Sequence, residues 1–263
     1  MPYVKTPGGE LHYTVKQGPV QGPNLVLVHG AGGSRLHWPA ELRRIAELTV
    51  YTLDLPGHGR SEGDGCKTIA GYTAAVVSFL DGVQINEAVV AGHSMGGAIA
   101  QTLTLQHRDR ISKLVLIGTG ARLRVSPAIL EGIPSNFEEA VDFITEYAWS
   151  PGTDPAVKEL GREALREAGA KVVLGCFLAC HHFDVMENLA DIEVPTLVIN
   201  GTLDALTPLK YAQFLAEKIP DARLVTVSGA GHMVMLERPK EVVQAIREFV
   251  TAGLPSNPQR PGR

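Results

Sequence analysis

A chain of 263 residues sits near the size at which a single hydrophobic core stops growing, so one domain carrying an insertion is expected. Hydrophobic residues make up 44% and charged residues 20%, a balance that excludes intrinsic disorder. A net charge of −4 without a Lys/Arg run argues against nucleic acid and anionic membrane as partners, and no 18-residue apolar stretch offers a membrane span.

The opening MPYVKTPGGELHY lacks the apolar core of a secretion signal. It reads instead as a hairpin, YVKT and ELHYTVK about a Gly8-Gly9 turn. LVLV (25–28) is a buried strand ending in His29-Gly30, the segment 38–48 has helical spacing, and TVYTLDL (49–55) is a strand. A helix over 69–83, a strand EAVVAG (87–92), a helix from Met95 to His107 and a strand ISKLVLIG (111–118) follow. Apolar runs alternating with helices indicate a mostly parallel sheet covered on both faces.

That rhythm stops from 121 to 191, where no strand is expected. Ser135-Asn136-Phe137-Glu138 reads as a capping box opening one helix, Asp154-Pro155 opens a second that ends near Gly169, and residues 172, 173, 176, 177 and 180 form the apolar stripe of a third. The alternation resumes with VPTLVING (194–201), a helix opened by Thr207-Pro208, the strand ARLVTV (222–227) and a last helix opened by Pro239. The expected division is a core of 1–120 and 192–252, a helical cap of 121–191, and a Pro-rich, disordered tail of 253–263.

Three cysteines, Cys66, Cys176 and Cys180, do not form a disulfide framework, and a reducing cytoplasm is the expected compartment. Cys176-x-x-x-Cys180-His181-His182 invites a metal reading, but the thiols fall in a helical apolar pattern with no zinc-type partner pair elsewhere, so packing as small apolar residues is the better account. No metal or cofactor is expected. Gly30-Ala31-Gly32 would need glycine where Arg35 stands, and Gly118-Thr119-Gly120 where Leu123 stands, so both fail as dinucleotide fingerprints.

Gly92-His93-Ser94-Met95-Gly96-Gly97 follows a buried strand and opens a helix. A sharp strand-to-helix turn leaves no room for side chains beside the serine, and it sets the hydroxyl at the positive end of the helix. A glycine-rich turn whose serine only caps the helix is the competing reading. A serine nucleophile needs a base, and the base an orienting acid. Asp204 follows the strand ending at Gly201, and His232 follows the strand ending near Val227, the chain order that such a turn requires. Asp54 comes too early for that acid, His58 fits a turn-shaping role, and His93 packs behind the serine. Two backbone donors for an oxyanion fall to Met95 and to the loop after LVLV, where Ala31 is preferred and Gly30 next.

With VLVHGAGGS, LDLPGHGRSEG, VAGHSMGGAIAQ, LVLIGTGARL, VPTLVINGTLDALTP and GAGHMVMLERP in order, residues 1–252 resemble the α/β-hydrolase superfamily, most closely its capped bacterial carboxylesterases and C–C hydrolases. The resemblance implies an α/β-hydrolase fold: a mostly parallel eight-stranded sheet with helices on both faces and an inserted helical cap. It implies Ser94 as nucleophile, Asp204 as acid, His232 as base, and Ala31 and Met95 as oxyanion donors. Gly30, Phe137, Trp149, Phe177, His181 and Met233 are the substrate-binding candidates. The expected activity is cleavage of small to medium hydrophobic esters through an acyl-enzyme, by a monomer or homodimer. C–C hydrolase, lactonase, haloperoxidase-like perhydrolase and ligand-receptor readings stand beside it. Epoxide hydrolases and haloalkane dehalogenases need a carboxylate where Ser94 stands.

Overall fold

Alternate side chains of each strand point to opposite faces of a sheet, and here both faces are filled. Leu25 and Leu27 of β3 (Asn24–Val28) enter one core and Val26 and Val28 the other; this is why the strand is an unbroken apolar run. The same division recurs in β5 (Ala88–His93), β6 (Ile111–Ile117) and β7 (Thr196–Gly201). One core is closed by α1 (Ile69–Gly82), α2 (Met95–Gln106) and α6 (Leu209–Lys218), and the other by α8 (Pro239–Thr251) together with Trp38, Leu42, Ile45 and Leu48.

The computed structural model describes residues 2–252; the expected disordered tail, 253–263, lies outside them. With β1 (Tyr3–Thr6), β2 (Gly9–Lys16), β4 (Thr49–Leu53) and β8 (Ala222–Val227), the eight strands lie in the order β1-β2-β4-β3-β5-β6-β7-β8. The β1/β2 and β2/β4 pairs are antiparallel and every later pair is parallel. This is the α/β-hydrolase fold. No described helix is long and apolar enough to cross a membrane.

Between β6 and β7 the chain forms α3 (Pro127–Ser135), α4 (Phe137–Ala148) and α5 (Pro155–His182), and its one extended pairing among the described residues is a bridge between Arg122 and Asp184. These helices share a small core of their own that includes Ile133, Val141, Ile144 and Val173. Gly169, at φ 77° and ψ 158°, breaks α5 where the sequence expects one helix to end and the next to begin.

Three expectations are corrected. The segment 38–48 is not a helix: it holds one 3-10 turn, Leu42–Arg44, after another at Arg35–His37, and Ile45 (φ −54°, ψ 125°) has already left helical geometry. The periodicity there reported which side chains are buried, not a continuous hydrogen-bonded backbone. α3 was not expected at all, because Gly132 and Pro134 weaken its pattern; Ser126 as N-cap with Pro127 at the first turn was the signal to read. In consequence the capping box moves one residue. Ser135 ends α3, and Asn136 caps α4, accepting from the Glu139 N–H at 3.4 Å while its amide donates to the Glu139 carboxylate at 3.2 Å.

The fully buried Asp54 carboxylate pins the loop after β3 to the sheet. It accepts from the Arg35 N–H at 2.8 Å, the His12 ring at 2.9 Å, the Arg60 N–H at 3.2 Å and the Arg35 guanidinium at 3.3 Å. Removing one partner of a buried ionic cluster leaves the others desolvated and unpaired. Asp54→Ala is therefore expected to lower unfolding free energy by about 3–5 kcal/mol in urea titration; a loss below about 1 kcal/mol would show that the cluster is not what holds this loop.

Candidate active site

Four segments end at the carboxyl edge of the parallel strands, where ligands bind in open α/β sheets. The loop after β3 brings His29 to Ser34, β5 leads into Ser94, the loop after β7 brings Asp204, and the loop after β8 brings His232.

Ser94 sits at φ 53° and ψ −117°, a conformation that costs a non-glycine residue about 1–3 kcal/mol. The turn is possible because its flanks are bare. A Cβ on Gly92 would overlap the Gly96 carbonyl, and one on Gly96 the Val28 carbonyl. The turn is then tied down on both sides: the Ser94 N–H donates to the Ile117 carbonyl at 2.9 Å, and the Thr119 hydroxyl donates to the Ser94 carbonyl at 2.8 Å. The serine side chain does not cap α2, which removes the competing reading of a capping serine.

His232 and Asp204 are both buried and in contact. The His232 Nδ1 lies 3.0 and 3.2 Å from the Asp204 oxygens and 3.1 Å from the Thr207 hydroxyl oxygen. A carboxylate can only accept, so the proton is on Nδ1 and Nε2 is left as a base. Thr207 donates its N–H (2.8 Å) and hydroxyl (2.7 Å) to Asp204. Burial alone would raise the Asp204 pKa. The His232 charge, then the hydrogen bonds from His232 and Thr207, outweigh it and hold the carboxyl below its ordinary value. Gly118, at φ 51°, lets this pair approach; a Cβ there would lie 3.2 Å from the His232 carbonyl and 3.4 Å from Asp204 Oδ2.

The loop carrying His232 is held from two further sides. The His93 ring donates from Nε2 to the His232 carbonyl at 3.0 Å, and burial pushes the His93 pKa well down, so that ring is neutral with a bare Nδ1. The Glu237 carboxylate accepts from the Gly231 N–H at 3.1 Å and the Ser150 N–H at 3.2 Å, joining the loop to the end of α4.

In the β3 loop, His29 donates from Nδ1 to the Gly30 carbonyl at 2.8 Å and accepts the Leu55 N–H on Nε2 at 3.0 Å. Burial, aided by His58, lowers its pKa well below the ordinary value, so this tautomer is fixed. Among the described residues, neither the Ala31 N–H nor the Met95 N–H has a hydrogen-bond partner. Ser94 and His232 line one cavity of about 430 Å³, without a direct hydrogen bond between them among the described residues.

Of the other candidates, Gly30, Ala31, Trp149, Phe177 and Met233 line this cavity. Met95 is fully buried, its side chain in the core. Phe137 and His181 are not in the lining. Phe137 packs in the small core between the helices, and His181 accepts the Val125 N–H on Nδ1 at 3.3 Å. Their places on helix ends looked pocket-facing in one dimension; packing and a backbone bond turn them elsewhere. Cys176 does more than pack as a small apolar residue: its Sγ lies 3.2 Å from the Tyr72 hydroxyl and 3.3 Å from His58 Nε2, and burial pushes its pKa up to about 11, so it is a thiol. His58 also donates from Nδ1 to the Pro56 carbonyl at 2.9 Å, the turn-shaping role expected of it.

Sequence reasoning missed Thr207, Glu237, His37 and Arg124. Thr207 stands three residues after Asp204 and just before Pro208, a local cap pattern that could have flagged it. His37, in a single 3-10 turn, and Arg124, in an irregular segment, line the cavity from stretches too short to carry a periodic signal. Burial lowers the His37 pKa to about 4, so its ring is neutral near pH 7.

Because its folded pKa is depressed, Asp204 contributes stability that is present above the ordinary aspartate pKa and lost as pH falls through the depressed value. Thr207→Val removes a hydroxyl donor to Asp204, so acid unfolding followed by circular dichroism should begin at higher pH, and kcat should fall about tenfold. An unchanged acid midpoint and unchanged kcat would count against the role of Thr207.

Residues 25–245 match the model of the alpha/beta hydrolase family. The chain is 31% identical to a pimeloyl-[acyl-carrier protein] methyl ester esterase of Aromatoleum aromaticum, over 87% of this chain and 98% of that protein. It superposes on a thermophilic esterase with TM-score 0.85 at 33% identity, covering 95% of this chain and 97% of that one. It also superposes on the enol-lactonase of Burkholderia xenovorans LB400 with TM-score 0.87 at 27% identity, covering 95% and 100%. A strained serine between bare glycines, a buried imidazole–carboxylate pair and the matching family model lead to one conclusion: the chain belongs to the alpha/beta hydrolase family.

Proposed function

We propose that the chain is a serine esterase that cleaves carboxylic esters through an acyl-enzyme on Ser94. The observation that carries this reading is the shared cavity. It is lined by the Ser94 hydroxyl, which caps no helix, by the imidazole of His232, whose Nδ1 is committed to Asp204, and by Ala31, whose backbone N–H, like that of Met95 next to the serine in the chain, has no hydrogen-bond partner among the described residues.

His232 Nε2 takes the Ser94 proton as Oγ forms a bond to the acyl carbon. The Ser94–His232 hydrogen bond closes as substrate binds, as catalytic contacts commonly tighten in the Michaelis complex. The carbonyl π electrons move onto oxygen, and the Met95 N–H, at the positive end of α2, together with the Ala31 N–H of the β3 loop, holds that charge. Asp204, kept ionised by Thr207 and His232, stabilises the imidazolium. The imidazolium proton passes to the departing alcohol oxygen as the ester C–O bond breaks. Water then attacks the acyl-enzyme, His232 takes its proton and returns it to Ser94, and the free acid leaves. Each donor lowers the barrier by about 3 kcal/mol.

The helices α3 to α5 serve as a cap over this cavity, with Trp149 and Phe177 enclosing the apolar part of the substrate. Likeness to a methyl ester esterase and to an enol-lactonase supports an oxygen ester as the scissile group, open in one case and closed into a ring in the other. Lactones are therefore the second substrate class.

Ser94→Ala should keep the wild-type circular dichroism spectrum and lower kcat/KM on 4-nitrophenyl butyrate by about 10⁴-fold or more. Hydrolysis by the variant at the parent rate would overturn the assignment.

A further inference from the structure

The cavity that holds Ser94 has an apolar wall and a single formal positive charge. No Asp, Glu or Lys is among the described residues that line it, whereas Arg124 is. Arginines close by are neutralised: Arg122 faces Asp184 at 3.8 Å, Arg162 bonds Asp142 at 2.9 Å, and Arg166 bonds Glu138 at 2.9 Å. Arg124 differs. Its one hydrogen bond among the described residues runs from Nη1 to the His181 carbonyl at 3.0 Å, and no carboxylate meets it.

That bond orients the side chain rather than consuming it. The backbone beneath is fixed as well, by the Val125 N–H on His181 Nδ1 and the Val185 N–H on the Ala121 carbonyl at 2.8 Å. A guanidinium carries five N–H donors in a planar fork, so one bond to a carbonyl leaves an edge free for a second planar acceptor. The neutral His37 and His93 rings add no positive charge to the cavity. One cation matches one carboxylate; a phosphate dianion would call for a second cation, and none lines the cavity.

Resting on the esterase reading above, we infer that the preferred substrates are esters bearing a free carboxylate away from the scissile bond, and that Arg124 binds that carboxylate and sets the specificity. The apolar wall takes the carbon chain between the two ends. Because Arg124 is exposed to solvent, the contact will weaken as salt is raised.

The test compares half-esters of dicarboxylic acids, of two to six methylenes, with uncharged alkanoate esters of the same length and the same alcohol. A second set places the carboxylate on the alcohol side. The readout is the ratio of kcat/KM for anionic over neutral substrate, which cancels any general loss of active enzyme. In Arg124→Gln that ratio should fall about tenfold, mostly through KM, and Arg124→Lys should restore part of it by keeping charge without the fork. A fall in either set supports the inference and tells which side of the ester faces Arg124. An equal ratio in all three proteins, in both sets, overturns it. Calorimetry on the Ser94→Ala protein with the same half-esters separates the two readings: binding that weakens in the Ser94→Ala, Arg124→Gln double variant supports the carboxylate site even if no ester is turned over. Equal affinity in the two proteins, or no binding in either, removes the site and leaves the esterase proposal standing.

Discussion

Everything at the carboxyl edge depends on one unfavourable backbone conformation. Ser94 occupies a region of φ/ψ space that L-residues avoid, and it stays there because the surroundings over-determine it. β5 lies in the middle of the sheet, between β3 and β6, and α2 is buried over most of its length. The strand and the helix cannot both relax, so the residue between them absorbs the strain. Bare glycines on both sides make the close approach of β5, α2 and the end of β3 sterically possible.

The same economy governs the histidines. His29, His58 and His93 are deeply buried and pushed toward neutrality, and each donates from one nitrogen to a backbone carbonyl. A neutral ring with a fixed tautomer works as a rigid spacer with one donor and one acceptor. His29 uses both to set the loop after β3, and His93 uses its donor to hold the backbone of His232. Asp54 performs the corresponding task with charge, anchoring the start of the next turn through Arg35.

Much of this was legible in the residues. The central strands β3, β5, β6 and β7 were readable because buried parallel strands are uninterrupted apolar runs, the β1/β2 hairpin because Gly8-Gly9 marks its turn, and Gly92, Ser94 and Gly96 announce their turn by spacing alone. Asp204 and His232 were readable because both follow strands in the required chain order, and they do meet, at 3.0 Å. What stayed hidden depends on three-dimensional packing. The stretch 38–48 buries Trp38, Leu42, Ile45 and Leu48 at near-helical intervals without being a helix, and α3 hides behind its own glycine and proline. Phe137 and His181 sit on elements near the cavity, but the direction of a side chain is set by contacts that no one-dimensional pattern encodes. Thr207 and Glu237 reach the Asp204–His232 pair and its loop through side-chain bonds, which leave no periodic trace.

The two partnerless amides beside Ser94 have a consequence for how this site can be dissected. Their donors belong to the main chain, so every codon change at Ala31 or Met95 except one to proline, which also locks φ, alters size and polarity yet leaves the N–H in place. A conventional alanine scan would pass over them in silence. Replacing the residue-31 peptide linkage by an ester, through chemical ligation or nonsense suppression with an α-hydroxy acid, deletes the donor while keeping the side chain. Genetic tolerance at position 31 is therefore no measure of that position's chemical weight.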